Sequence, residues 1–251
     1  MHLVACPICA ATLWPWQVCG GFALLRCPAC GFVRIDPLPG AAALQGLYKG
    51  AHRDYFAKAE SKVRRATRRL KGLRRLLGHS QFSPRLLDVG CHGGFVAAAA
   101  LAQGFQVTAL DPDAAALAEA AKRAAGAEFR QGRVEETSLP ADTFDLVYCS
   151  EVIEHSPDPQ AFMSALARAL KPGGLLYLTT PDIGHWRRPR DLARWDGFDP
   201  PRHCCYFTRT SLERVLAQHG LVVVRRWFAW KPGLKLLARR QQVQAAVVQS
   251  A

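Results

Sequence analysis

The middle of the chain alternates short apolar runs with Ala-rich segments, a pattern that predicts strands separated by helices. The helical segments have clear boundaries: Pro112 suits a first turn, Gly126 suits a stop, and a helix over 159–171 should end at the Pro-Gly-Gly that follows it. Strands that alternate with helices form a parallel sheet with helices on both faces. The predicted strands are residues 85–89, 106–110, 128–132, 144–150 and 175–180.

A periodic segment also precedes this α/β domain. From Val63, apolar residues recur in steps of three and four at Ala66, Leu70, Leu73 and Leu77, which is the spacing of one helix face. The segment therefore predicts a helix that packs through this face.

The rest of the chain differs in composition. Residues 1–40 are rich in Cys, Pro and Gly, and residues 221–230 read as a further strand, followed by a basic, helix-like stretch and a Gln/Ala/Val tail. The predicted organisation is a small N-terminal domain (1–40), a helical basic linker (41–83), the α/β domain (84–230) and a basic C-terminal tail (231–251).

Composition narrows the class of protein. The chain has 251 residues, of which 49% are hydrophobic and 21% charged, and this balance argues against a wholly disordered chain. No apolar run approaches the roughly 18 residues that span a bilayer. The first residues lack a basic start and carry Cys6 and Cys9 where a signal peptide would be apolar. We therefore expect a soluble, cytoplasmic protein.

The positive charge is concentrated in two segments. The formal net charge is +13; residues 58–75 hold nine basic residues and one acidic residue, and residues 214–251 hold seven basic residues and no acidic one. Such segments favour nucleic acid, membrane surfaces or phosphorylated substrates. For the basic helix 58–75, three interpretations stay open: a solvated face of a docked helix, an RNA-binding surface, or a surface for an anionic membrane or a lipid-linked substrate.

Four of the nine cysteines form two CxxC pairs, Cys6 with Cys9 and Cys27 with Cys30. Two such turns can bring four thiolates to one ion, and soft thiolates in a tetrahedral arrangement favour zinc, or iron in a rubredoxin-like site. A closed four-sulfur site has no open position for water. The spacing therefore predicts a structural metal, which a 40-residue segment needs because its core is small.

The first strand of the α/β domain leads into a Gly-rich turn, residues 88–94. Glycines let the backbone approach a ligand and expose N–H groups at a helix N-terminus. The spacing is not GxGxxG, so it does not imply a dinucleotide. Asp111, at the carboxyl end of the second strand, can accept hydrogen bonds from both ribose hydroxyls of a nucleoside.

Four motifs occur in order along the α/β domain: DVGCHGG (88–94), Asp111, FDLVYCSEVIEH (144–155) and LKPGGL (170–175). Together they resemble a class I S-adenosylmethionine-dependent methyltransferase over roughly residues 84–230. The four-cysteine segment 1–40, with Cys30-Gly-Phe-Val and the pairs Leu47-Tyr48 and Tyr55-Phe56 after it, resembles a subgroup with a zinc ribbon before a Rossmann-like domain.

The resemblance implies a role for each motif. The turn would hold the methionine part of the cofactor, Asp111 the ribose, the segment after the third strand the adenine, and the end of the fourth strand the methyl-transfer site. His92 stands where members of this class usually have a glycine, a change for which Gly93 beside it could compensate. Arg133 stands where many of them have an acidic residue. Enzymes of this class usually end with an antiparallel seventh strand, which here is either hidden in residues 242–248 or missing. The implied cofactor residues are Asp88, Gly90, Cys91, Gly93, Gly94, Asp111, Pro112, Arg133, Val134, Glu135, Ser150 and Glu151.

The acceptor side carries two histidines. His155, with Glu154, follows the fourth strand, and His203 lies in an aromatic-rich insert after the fifth strand, which suggests a substrate lid. An imidazole that titrates near pH 6.5 suits removal of an acceptor proton, although each histidine could equally be structural.

Three functions remain open at this stage. The preferred one is methyl transfer to a small molecule, ideally a sugar or glycan precursor. An RNA methyltransferase that binds RNA through the ribbon and the basic helix is the first alternative, and a non-catalytic scaffold with a relict cofactor pocket is the second.

Overall fold

The computed structural model describes residues 4–40, 43, 46, 59–78 and 83–242. The Leu47-Tyr48 and Tyr55-Phe56 pairs, Lys58 and residues 243–251 lie outside the described residues. The strands are β1 Val4–Ala5, β2 Thr12–Cys19, β3 Phe22–Arg26, β4 Val33–Asp36, β5 Arg85–Val89, β6 Gln106–Asp111, β7 Glu128–Gln131, β8 Phe144–Ser150, β9 Leu170–Pro181, β10 Cys205–Tyr206, β11 Leu221–Arg226 and β12 Gly233–Arg240. The helices are α1 Ala59–Leu76, α2 Phe95–Leu101, α3 Ala114–Arg123, α4 Pro159–Ala169 and α5 Arg209–Gln218, with short 3-10 turns at Ile153–His155 and Leu192–Arg194.

The large sheet has seven strands in the order β11-β12-β9-β8-β5-β6-β7. Strands β7, β6, β5, β8 and β9 pair in parallel, whereas β12 runs antiparallel to both of its neighbours. The central strands are buried on both faces, so they read as continuous apolar runs. The predicted Rossmann-like α/β fold is confirmed.

The seventh strand is present, and its predicted location was wrong. Residues 233–240, expected to be a basic, helix-like part of the tail, form β12 and pair with β9 from Gly233 opposite Pro181 to Arg239 opposite Leu175. Leu236 and Leu237 point to opposite faces of the sheet, and both are buried. A strand covered on both faces loses the alternating pattern, which explains why its sequence looked helical.

The boundary between α4 and β9 also differs from the prediction. The helix ends at Ala169, and residues 172–174 (PGG) lie inside β9 rather than in a turn before it. A Cβ on Gly174 would lie 3.1 Å from the carbonyl oxygen of Phe144 on β8. Glycine is needed here because the two strands approach closely at an irregular register.

The N-terminal domain is joined to the methyltransferase-like domain by a shared sheet. Its strands form a five-stranded sheet in the order β1-β2-β3-β4-β10, and β10 comes from the insert after β9. Side chains of α4 and α5 donate hydrogen bonds to ribbon carbonyls, from Gln160 to Pro7 at 2.7 Å and from Gln218 to Ile8 at 2.9 Å. The position of the insert therefore depends on the ribbon.

Helix α1 uses the predicted apolar face. Ala66, Leu70 and Leu73 are buried, Val63 and Leu77 are partly buried, and the helix packs on α2. None of the helices within the described ranges is long and apolar enough to cross a membrane.

Candidate active site

A cavity of about 600 Å³ opens at the carboxyl ends of β5, β6 and β8. Ten of the twelve predicted cofactor residues line it, whereas Gly93 and Gly94 do not. The ten are Asp88, Gly90, Cys91, Asp111, Pro112, Arg133, Val134, Glu135, Ser150 and Glu151.

The turn after β5 uses its residues differently from the prediction. His92 itself adopts a left-handed conformation with φ 44°, and Gly93 has no positive φ, so the expected compensation by Gly93 is wrong. The His92 N–H donates to Asp111 Oδ2 at 2.8 Å, which holds this backbone in place. Gly94 serves packing: a Cβ there would lie 2.9 Å from the Cα of Ala120 on α3.

Asp111 is oriented toward the cavity by backbone donors on both carboxylate oxygens. It is buried, its Oδ2 accepts from the His92 N–H, and its Oδ1 accepts from the Asp113 N–H at 2.9 Å. Each oxygen has a second lone pair. A carboxylate held in this way is suited to accept hydrogen bonds from ligand hydroxyls.

Asp88 has the opposite environment. Its carboxyl is 2% exposed, and Oδ2 has no hydrogen-bond partner among the described residues. Burial, and secondly the charge of Asp111, raise the pKa of Asp88 to about 7. A buried carboxylate oxygen without a partner is costly. A cationic group such as the α-ammonium of a methionine moiety would supply the missing partner.

On the predicted adenine side, charges are already paired. Arg133 forms a salt bridge with Glu135, and Ser156 donates to the same carboxylate at 3.0 Å. Arg133 therefore adds little net charge to this wall, and the side chains form a polar edge.

At the predicted methyl-transfer side, Ser150 and Glu151 converge on Thr179 of β9. The Ser150 and Thr179 hydroxyls lie 2.8 Å apart, and the Thr179 hydroxyl donates to Glu151 Oε1 at 2.6 Å. Glu151 has a left-handed backbone with φ 58°. Such strain is frequent at functional sites.

His155 and His203 lie side by side in the cavity wall. Their ring centroids are 4.7 Å apart. His155 Nδ1 lies 2.9 Å from the Arg202 carbonyl, and His203 Nδ1 lies 2.9 Å from the Gly197 carbonyl. Because a carbonyl only accepts, both Nδ1 atoms carry hydrogen, and in the neutral rings both Nε2 atoms are acceptors.

The pKa values of the two histidines are lower than the sequence analysis assumed. Burial, followed by the charge of His203, lowers the pKa of His155 to about 4, and burial also lowers that of His203. Both rings are therefore neutral at physiological pH.

Glu154 lies behind this pair and does not line the cavity. It is fully buried; Oε2 accepts from the Thr180 hydroxyl at 2.8 Å, and Oε1 has no partner among the described residues. Burial raises its pKa well above the usual range. The ligand atoms of Glu154, His155 and His203 lie within 4.8 Å of one another, so one metal ion could also reach all three.

The aromatic residues of the insert are mostly anchors rather than a lid. Phe207 packs edge-on against Phe32 of the ribbon with ring centroids 5.4 Å apart, and Tyr206 stacks on Phe198 at 5.5 Å. Trp195 is buried, whereas Trp186 is 72% exposed. The insert therefore places His203 through contacts with the ribbon.

The four predicted cysteine ligands come together. Cys6 Sγ lies 3.6 Å from Cys30 Sγ, and Cys9 Sγ lies 3.4 Å from Cys27 Sγ, with all four sulfurs within 4.8 Å. Two sulfurs at about 2.3 Å from one tetrahedral zinc are about 3.8 Å apart. The cluster therefore fits a single four-coordinate ion.

The family model described as a methyltransferase domain matches residues 55–226, more than half of the chain. The chain belongs to this methyltransferase family. The matched segment contains the whole cavity and both histidines.

Curated relatives match part of this chain. The ubiquinone biosynthesis O-methyltransferase of Xanthomonas axonopodis pv. citri (strain 306) is 42% identical over 101 residues, which cover 38% of this chain and 42% of that protein. The protein of the same name from Salmonella enteritidis PT4 (strain P125109) is 38% identical over 104 residues, with 39% and 43% coverage. The chain thus spans about two fifths of the length of these relatives.

Solved structures share the methyltransferase fold. Burkholderia thailandensis 1,6-didemethyltoxoflavin-N1-methyltransferase, solved with S-adenosylhomocysteine, is 21% identical with a TM-score of 0.61, covering 91% of this chain and 99% of that one. A Mesorhizobium loti S-adenosylmethionine-dependent methyltransferase is 23% identical with a TM-score of 0.55, covering 66% and 95%.

Several residues of this methyltransferase site were absent from the predicted set. Lys62, Arg65 and Arg69 of α1 line the cavity, and the Thr179 hydroxyl donates a hydrogen bond to Glu151 in the cavity wall. The helical periodicity placed these cations on the polar face of α1. It could not show that part of this face covers a cavity.

Proposed function

We propose that the protein transfers a methyl group from S-adenosylmethionine to a hydroxyl of a small molecule. The observation that carries this proposal is that Asp88 and Asp111 line the same cavity as the neutral imidazoles of His155 and His203. The relatives named as O-methyltransferases support oxygen as the acceptor atom.

The residues present fit the cofactor. Asp111 would accept from the ribose hydroxyls, and the unpartnered Asp88 oxygen would receive the α-ammonium group, directly or through water. The close approach of Gly90 to Val152, where a Cβ would lie 2.6 Å from Cγ2, keeps the turn free of side-chain bulk. S-adenosylmethionine supplies an electrophilic methyl group when it is bound.

The remaining chemistry concerns the acceptor. The cavity aligns the hydroxyl with the methyl group, which is the main contribution in a displacement reaction. Nε2 of His155 or His203 takes the hydroxyl proton as the oxygen attacks. With a pKa of about 4, His155 is a weak base, so it assists proton loss during transfer rather than forming an alkoxide beforehand.

The class of the acceptor is tested by finding which molecules receive a labelled methyl group. The full chain is incubated with methyl-labelled S-adenosylmethionine and fractionated cell extract, with Asp111→Ala as the control for cofactor-dependent labelling. Label in low-molecular-weight hydroxyl compounds supports the proposal, and label in a sugar or glycan precursor supports our preferred acceptor. Label in RNA alone, or no S-adenosylhomocysteine binding by calorimetry, would instead support the RNA enzyme or the relict scaffold.

We also propose that Cys6, Cys9, Cys27 and Cys30 bind one structural zinc ion. The sulfur spacing supports a four-coordinate ion, and burial raises the pKa of Cys6 to about 11, so the thiolate needs a cation nearby. Elemental analysis of reduced protein should find one zinc per chain, iron being the alternative. A metal-free, folded protein would contradict this proposal.

A further inference from the structure

A second cavity, of about 420 Å³, lies between α1 and the sheet strands β9, β11 and β12. It is separate from the first cavity, although Arg65 and Arg69 of α1 contribute to the walls of both. Five basic side chains and no acidic one line it: Arg65, Arg68, Arg69, Arg225 and Lys235.

None of the five cations forms a salt bridge to a carboxylate within the part of the chain that the structure describes, although the charge of Glu151 attracts Arg69. Arg69 and Lys235 are half-buried, and Arg65, Arg68 and Arg225 are exposed. Burial, and secondly the charge of Arg69, lower the pKa of Lys235. Like charges gathered around a concave space repel one another and focus a positive potential. An anion bound there would relieve this repulsion.

The lining of this cavity also includes a tyrosine whose hydroxyl is buried. Tyr177 lines it with a side chain that is 0% exposed, and its hydroxyl has no hydrogen-bond partner among the described residues. The ring is held by Tyr148, stacked at 4.7 Å, and by the Arg69 guanidinium at 5.0 Å. An unpaired buried hydroxyl costs free energy unless a ligand or water completes it.

The remaining lining leaves room for an organic group beside the anion. Trp227 contacts two of the cations, with Arg225 at 5.1 Å and Lys235 at 5.9 Å from its ring centroid. Leu73 and Leu76 add apolar surface from α1. The cavity thus combines a strongly cationic part with an aromatic and apolar part.

We propose that this second cavity binds a phosphate-bearing small molecule, with Arg68, Arg225 and Lys235 as charged donors and the Tyr177 hydroxyl as a neutral donor. A phosphoryl group carries several anionic oxygens, and guanidinium groups match them with paired donors. A single carboxylate would leave most of these cations uncompensated. The molecule is either a soluble phosphomonoester or diphosphate, or the headgroup of a phospholipid.

Calorimetry on the full chain with inorganic pyrophosphate tests the chemistry. Arg68→Gln is compared with Arg75→Gln, an equal charge change on an exposed arginine of the same helix outside the cavity. We expect Arg68→Gln to weaken pyrophosphate binding at least tenfold and Arg75→Gln to leave it within twofold. Tyr177→Phe should weaken it without loss of folding, because it removes only an unpaired hydroxyl.

The outcomes separate a built site from diffuse charge. S-adenosylhomocysteine affinity should stay unchanged in Arg68→Gln, since Arg68 does not line the first cavity, and this shows that the variant is folded. Equal weakening by Arg68→Gln and Arg75→Gln, or no pyrophosphate binding at millimolar concentration, would overturn the proposal. It does not depend on the methyl-transfer proposal.

Sedimentation with phosphatidylcholine vesicles, with and without phosphatidic acid, identifies the source of the phosphate. Binding to the acidic vesicles that Arg68→Gln abolishes and Arg75→Gln retains assigns the site to a lipid headgroup. Pyrophosphate binding without vesicle binding assigns it to a soluble ligand. Vesicle binding that both variants reduce equally, without pyrophosphate binding, refutes the site.

Discussion

Asp88 should lower the stability of the ligand-free protein at neutral and higher pH. Burial raises the pKa of Asp88 from its ordinary value of 3.8 to about 7. A raised carboxyl pKa means that the folded state holds the proton more tightly than the unfolded state. The resulting stability is fully present below pH 3.8, and it is lost as the pH rises through about 7. Asp88→Asn removes this loss because an amide does not ionise.

The magnitude follows from the shift. One pKa unit corresponds to about 1.4 kcal/mol, so the raised pKa of Asp88 lowers the stability, relative to strongly acidic pH, by about 4 kcal/mol at pH 8 and by about 1–2 kcal/mol at pH 5, where only the unfolded state has lost the proton. The free energy of unfolding of Asp88→Asn minus that of the wild type should therefore grow by about 2–3 kcal/mol from pH 5 to pH 8. Any pH-independent cost of the buried amide cancels in this comparison.

Urea unfolding without ligand at both pH values measures this difference, and calorimetry should show S-adenosylhomocysteine affinity reduced at least tenfold. Asp145→Asn is the matched control on β8: Asp145 is buried but accepts from the Arg85 N–H at 2.8 Å and from Lys171 at 2.7 Å. It should destabilise the protein at both pH values. A wild-type-to-Asp88→Asn difference that does not change with pH would refute the reasoning.

Four further predictions concern the site and the ribbon. Asp111→Ala should weaken S-adenosylhomocysteine binding at least tenfold, because it removes the acceptor for the ribose hydroxyls; an unchanged dissociation constant in a folded variant would contradict this role. His155→Ala should lower turnover per folded molecule by about 10²–10⁴-fold with little effect on cofactor affinity, and a purely structural histidine would instead lower stability. Because the pKa of His155 is about 4, its protonation should not reduce kcat/KM between pH 8 and pH 6. A loss of activity near pH 6.5 that is absent in His155→Ala would disprove this. Dialysis against a chelator tests whether a bound metal ion determines the pH profile. Cys9→Ser should raise KM for the acceptor more than the Kd for the cofactor, since the ribbon holds the insert through β10; equal effects on both constants would indicate general unfolding.

Many features of this protein could be predicted from its sequence, because strands, helices, turns and CxxC pairs depend on residues that are close together in the chain. Apolar runs of strand length between Ala-rich helices predicted β5 to β9 and the helices between them. The turn that contains Gly90, together with Asp111, predicted that a cofactor binds at the carboxyl edge of the sheet, where the ends of the parallel strands meet. The spacing of two CxxC pairs was enough to predict that four sulfurs converge.

Only the tertiary structure decided which remote residues meet. His203 reaches His155 because β10 pairs with β4 of the ribbon, a contact between segments far apart in the chain. Residues 233–240 become a strand because β9 and β11 offer hydrogen bonds on both sides and both faces are covered. The pKa of Asp88 and the cationic second cavity likewise depend on burial and on partners that are absent locally. Periodicity records which face of an element is apolar, whereas pairing, burial and the sharing of charge arise only when distant elements pack together.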